Sequence, residues 1–154
     1  MEQQLVDNAA QPASLSFQTD DGIFLSYSVQ GEGFPLLLVN GLGNLKEAWA
    51  DTAQAFLRYF KVICYNLRNQ GKDVSNHGVG YDFNRHVADL KCLISTLGIN
   101  CFCGIGISTG SRLLADYAVQ HPAQVRSLVL MGVSAERFAT RYQVIFESWL
   151  RALQ

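Results

Sequence analysis

The chain has 154 residues, 49% of them hydrophobic and 16% charged, with a formal net charge of −1. That length supports one buried core, and that composition excludes a disordered chain. The near-neutral charge leaves no electrostatic footprint for nucleic acid or an anionic membrane surface.

The first seven residues, Met1-Glu-Gln-Gln-Leu-Val-Asp7, have neither the basic start nor the apolar run of a signal peptide. Residues 1–12 are polar and aperiodic and read as a flexible tail. Ser14 to Gln18 alternates as a strand does, Asp20-Asp21-Gly22 is a turn, and Ile23 to Val29 alternates again, which predicts an antiparallel hairpin. After the punctuation of Gly31 to Pro35, Leu36-Leu-Leu-Val39 runs apolar on both faces, as a strand inside a parallel sheet must. Trp49, Ala53, Phe56 and Phe60 recur at helical spacing and predict a helix from Lys46 to about Tyr59. Lys61 to Tyr65 is the next buried strand.

Phe83, Val87, Leu90, Ile94 and Leu97 form a helical stripe, with Asp82 as its N-cap and Gly98 as its stop. Cys101 to Ile107 is a short apolar strand that turns at Ser108 into an amphipathic helix, which ends at His121-Pro122. Val125 to Met131 reads as another buried strand. In the last segment, Ala135 to Gln154, Phe138, Tyr142, Ile145, Phe146, Trp149, Leu150 and Leu153 share one helical face. There are no internal repeats. The order predicts an α/β core over residues 13–134, a mainly parallel sheet with an N-terminal antiparallel hairpin and flanking helices, followed by an amphipathic helix over 135–154.

The four cysteines, Cys64, Cys92, Cys101 and Cys103, have neither metal-ligand spacing nor a disulfide framework. They read as small buried hydrophobes in a reducing compartment, so a cytoplasmic location is expected. No metal and no organic cofactor is implied, and no apolar run is long enough to span a bilayer.

The feature with chemical content is G-x-S-x-G, present as Gly106-Ile107-Ser108-Thr109-Gly110 between a strand and a helix. A serine at so tight a turn holds a strained backbone, and a Cβ two residues before or after it would collide with a neighbouring element. The helix N-terminus then points at whatever the hydroxyl attacks, which favours developing negative charge. A dinucleotide loop is the competing reading, because Gly41-Leu-Gly43 and Gly104-Ile-Gly106 also follow strands. Lys46 and Thr109 stand where the third glycine is needed, and the next strands end in Tyr65-Asn66 and Met131-Gly132 without an acidic residue for a ribose.

Several ordered motifs resemble the α/β-hydrolase fold superfamily, in its serine esterase, thioesterase and peptidase-like group. Leu38-Val-Asn-Gly-Leu-Gly43 stands where that family has His-Gly-x-Gly, and Tyr65-Asn-Leu-Arg-Asn-Gln-Gly71 where it has Asp-x-Arg-Gly-x-Gly. The run from Tyr81 through Asp89 to Leu97-Gly-Ile resembles the helix before the family's elbow, and the run from His121 to Leu130 the strand after it. Asn40, Asn66 and Asn69 depart from the pattern, as a divergent branch would.

The resemblance implies Ser108 as nucleophile, the N–H groups of Leu42 and Thr109 as an oxyanion hole, and Gly106 and Gly110 as elbow glycines. The family's acid and histidine lie on strands beyond a cap region, and nothing in this chain matches either. The expectation is therefore the N-terminal portion or a shortened form of a serine hydrolase acting on a small-molecule ester, thioester or related acyl bond. The alternative is an inactive truncated homologue with a binding or assembly role. His77, the one histidine in a loop on the elbow side, is the candidate base within this chain, although an exposed loop histidine is its ordinary reading. His86 is expected on the surface of its helix and His121 at a helix cap. The apolar strand at 125–131 and the stripe of the last helix lead to an expectation of self-association or a complementing chain.

Overall fold

The structure is a computed structural model and describes residues 13–71 and 83–133. The expected tail at 1–12, the loop with His77, the Asp82 cap and the helix at 135–154 lie outside the described residues.

The hairpin consists of β1 (Leu15–Gln18) and β2 (Phe24–Gln30), paired antiparallel from Leu15 opposite Tyr27 to Gln18 opposite Phe24. Thr19 closes its turn: the hydroxyl donates to Asp21 Oδ1 at 2.6 Å and accepts the Ile23 N–H at 3.0 Å. Four parallel strands follow, β3 (Phe34–Val39), β4 (Phe60–Tyr65), β5 (Phe102–Ile107) and β6 (Val125–Met131), giving one six-stranded sheet in the order β1-β2-β4-β3-β5-β6. The helices are α1 (Ala50–Phe56), α2 (Phe83–Thr96) and α3 (Thr109–Gln120).

Strand alternation divides the core between the two faces of the sheet. Leu37, Val39, Ile63 and Tyr65 pack on one side with Leu90, Leu93 and Leu113 of α2 and α3. Leu36, Leu38, Val62 and Cys64 pack on the other with Trp49 and Ala53. Because β3 to β6 are parallel, the loops after Val39, Tyr65, Ile107 and Met131 gather at one edge of the sheet.

Two sequence expectations are corrected. The single helix from Lys46 to Tyr59 is a 3₁₀ turn at Lys46–Trp49 followed by the short α1, and Phe60 already belongs to β4. Phe60 meets Phe56 edge to face at 6.0 Å across the connection, so the spacing that imitated a helix is a tertiary contact. β6 is also not buried as expected. It is the last strand of the sheet among the described residues, and its residues are half-buried or exposed, with Val129 54% and Met131 40% exposed.

An ion cluster, buried at Arg68 and Asp89, ties three separate elements together. Arg68, after β4, donates from Nε and Nη2 to both oxygens of Asp89 on α2, at 2.9 and 2.6 Å. The same guanidinium reaches Asp21 in the hairpin turn at 2.9 and 3.0 Å. Arg85 adds pairs to Asp20 and, at 3.6 Å, to Asp89. The hydrogen bonds from Arg68 hold the Asp21 carboxyl far below its ordinary range.

Asp89→Ala leaves Arg68 buried without its main partner and is expected to cost about 3 kcal/mol or more in urea unfolding. Asp21 has a depressed folded pKa, so its contribution is complete above the unfolded value, about 4, and is lost only as pH falls through the lower folded value. The stability difference between wild type and Asp21→Asn should therefore be flat above about pH 5 and shrink in strong acid.

Candidate active site

Ser108 joins β5 to α3 at φ 51 and ψ −113, outside the ordinary regions for a residue with a side chain. Such a conformation costs roughly 1–3 kcal/mol and persists only where the surroundings impose it. Here they do. The Ser108 N–H donates to the Met131 carbonyl at 2.8 Å, and its carbonyl accepts the Arg112 N–H at 3.1 Å. A Cβ added to Gly106 would lie 2.6 Å from Ser111 N and 2.7 Å from the Gly110 carbonyl. A Cβ on Gly110 would fall on the Val39 carbonyl oxygen and 2.7 Å from that of Asn40. The first turn of α3 is thus pressed against the ends of β3 and β5 so closely that neither glycine has room for a side chain.

Ser108 is solvent-exposed and occupies the N-cap of α3, yet its side chain makes no capping hydrogen bond. Serine at an N-cap ordinarily accepts a first-turn N–H. Ser108 instead stands exposed at the positive end of the helix dipole. Thr109, buried, is the first residue of α3, so its N–H is one of those a helix leaves without an intrahelical carbonyl. Gly41 lies against the serine from the β3 side: a Cβ placed on it would sit 3.3 Å from Ser108 Cβ and 3.8 Å from Oγ. Leu42, half-buried, is the next residue of that loop.

Side chains that sequence reading did not single out hold these loops. Ser111, fully buried in the first turn of α3, donates to the Gly106 carbonyl at 2.6 Å and accepts the Met131 N–H at 2.9 Å. A hydroxyl three residues after Ser108 on the helix face turned to the sheet was the available signal. Asn40 and Asn66 are also buried and bonded to backbone or side-chain partners.

The histidines fall as follows. His77 lies outside the described residues. His121 follows the last residue of α3, about 20 Å from Ser108 along the helix, and its ring lies tilted against Tyr117 with centroids 4.6 Å apart. His86 is corrected from surface to core: it is 2% exposed and meets Phe83 edge to face at 6.1 Å. α2 packs against both the sheet and α3, so its buried face is wider than its apolar stripe. Burial pushes the Cys64 thiol up to about 12, which keeps it protonated and unreactive at neutral pH. Among the described residues no three His, Cys, Asp or Glu side chains gather as metal ligands, and no helix is long and apolar enough to cross a membrane.

Comparison with known proteins agrees with this geometry. A family model described as alpha/beta hydrolase fold matches residues 35–153. The chain is 32% identical over 111 residues to the 2-hydroxy-6-oxo-2,4-heptadienoate hydrolase of Pseudomonas putida, covering 70% of this chain and 40% of that protein. It is 30% identical over 109 residues to a fluoroacetate dehalogenase of a Burkholderia species, covering 68% of this chain and 36% of that protein. The chain therefore spans less than half the length of these curated relatives. Among solved structures, a hydrolase from Pseudomonas aeruginosa superposes with a TM-score of 0.80 at 27% identity, over 93% of this chain and 54% of that one.

The strain at Ser108 is measurable. Ser108→Gly relieves roughly 1–3 kcal/mol of backbone strain and loses roughly 0.4–1 kcal/mol through a more flexible unfolded chain, so a net gain of about 1 kcal/mol in denaturant unfolding is expected. Gly110→Ala should run the other way, costing about 3 kcal/mol, because the methyl group meets backbone that cannot yield.

Proposed function

The chain belongs to the alpha/beta hydrolase fold family, and within that family we propose that it is a serine hydrolase module acting on a small-molecule ester, thioester or related acyl bond. One observation carries the reading: an exposed serine, held at φ 51 at the head of a helix, that does not cap that helix. Stored strain at a functional position is the usual reason such a conformation is kept.

In this reading Ser108 Oγ attacks the acyl carbon and forms a C–O bond, while its proton passes to a base. The carbonyl π electrons move onto oxygen, and the oxyanion is held by the N–H groups of Leu42 and Thr109 at the positive end of α3. Collapse of this intermediate breaks the bond to the leaving group, which takes up a proton. Water then cleaves the acyl-serine ester by the same sequence. Neutral serine is a weak nucleophile without a base, and the histidine–acid pair is assigned to residues outside those described. The relatives' names include both a hydrolase of an oxo-dienoate and a dehalogenase, so the fold alone does not choose the bond. The hydroxyl at position 108 is what favours acyl transfer.

Where a base is available a fluorophosphonate probe is expected to label Ser108, and Ser108→Ala to abolish labelling and lower ester turnover by several orders of magnitude; without that base, labelling of Ser108 should be slow and ester hydrolysis near background. Brisk turnover that survives Ser108→Ala would place the reaction elsewhere. Loss of turnover in His77→Ala would identify that histidine as the base. A protein that leaves the probe untouched would instead support a binding or assembly role.

A further inference from the structure

The loop that carries Leu42 is held only weakly by its own backbone. Its turn closes through an Asn44 N–H to Gly41 carbonyl contact of 3.5 Å, at the limit of a hydrogen bond. The strong anchors are three side-chain amides. Asn40, 4% exposed, donates from Nδ2 to the Leu45 carbonyl at 2.5 Å. Asn66, 6% exposed at the end of β4, accepts the Lys46 N–H on Oδ1 at 2.7 Å. Its Nδ2 is committed to Ser26 Oγ at 2.9 Å, so both ends of the amide are bonded and its orientation is fixed by its partners. Gln70, with its amide oriented by its partners, accepts the Gly43 N–H and donates to the Asn44 carbonyl, both at 3.0 Å.

These bonds bracket the residue that matters. Gly41, before Leu42, rests on the Ser108 side chain, and Gly43, after it, is bonded to Gln70. We infer that Asn40, Asn66 and Gln70 are positioning residues, an amide clamp that fixes the Leu42 N–H beside Ser108 and so sets how well the oxyanion is stabilised. The inference rests on the reading of Leu42 as an oxyanion donor. The physical demand is strict, because donors must lie within about 3 Å of the developing charge and a misplacement of about 1 Å can cost about a hundredfold in rate. Amides suit the task. Each offers both a donor and an acceptor.

The test is the second-order rate of Ser108 labelling by an alkyl fluorophosphonate, measured beside the thermal unfolding midpoint. The proteins are the full chain and its Gln70→Ala, Asn66→Ala and Asn66→Asp variants. Gln70 is only partly buried, so Gln70→Ala should keep its midpoint within a few degrees of wild type yet label about tenfold more slowly. Asn66→Ala should slow labelling at least as much. Asn66→Asp keeps an acceptor for the Lys46 N–H and should recover to within about threefold of wild type. A merely structural role would lower the midpoint and leave the labelling rate of the folded protein unchanged. Wild-type labelling rates in both alanine variants, or in Gln70→Ala alone if Asn66→Ala does not fold, overturn the clamp while the reading of Ser108 stands. An Asn66→Asp chain as slow as Asn66→Ala overturns the role of the Lys46 bond. A wild-type chain unlabelled at Ser108 overturns the parent reading, and the clamp with it.

Discussion

The close approach of the α3 N-terminus to the ends of β3 and β5 is the constraint on which the rest of the structure depends. No Cβ fits at Gly106 or Gly110, and Ser108, midway between them, is driven to φ 51. That conformation removes Ser108 from its ordinary capping role and leaves it exposed at the head of the helix. The strain, roughly 1–3 kcal/mol, is a sizeable fraction of a domain's net stability of roughly 5–15 kcal/mol. It survives because Ser111, Met131 and Arg112 hold the backbone on both sides of it.

Two kinds of polar interaction divide the remaining work. Far from the serine, charges do the joining: Arg68 binds the hairpin turn to α2 through Asp21 and Asp89, and carries the start of the loop after β4 with it. Near the serine, the loop after β3 is held by neutral amides. The two systems share one segment, since Asn66, Arg68 and Gln70 alternate along the loop after β4. The N-terminal hairpin is thereby connected to the candidate site: Asp21 steadies Arg68, and Ser26 fixes the Asn66 amide.

Most of the fold was legible because it rests on periodicity and sterics. Leu36 to Val39 had to be a buried strand, and the glycines of 106–110 had to mark a tight turn, whatever surrounded them. The errors arose where an apolar residue's partner is tertiary. Phe60 completes a helical spacing with Phe56 but does so from a strand, and edge-to-face packing imitated a helical turn. The apolar run of β6 states what the strand favours, not how many neighbours it receives, and it lies at the sheet margin among the described residues. At the candidate site, Ser108 was legible because its motif has a steric cause. Asn40, Asn66 and Gln70 were not assigned their roles, since a polar loop residue has no period and its bonding depends on distant chain returning beside it. Departure of Asn40 and Asn66 from the pattern they resemble was visible, but what the amides do was not.

The central claim is that Ser108 is a nucleophile facing two backbone N–H donors. The measurement that bears on it most directly is a crystal structure of the protein after reaction with a phosphonate. Phosphorus is expected on Ser108 Oγ, with the phosphonyl oxygen about 2.7–3.1 Å from the nitrogens of Leu42 and Thr109. Phosphorus on another residue, or a phosphonyl oxygen left in solvent with those N–H groups bonded elsewhere, would contradict it.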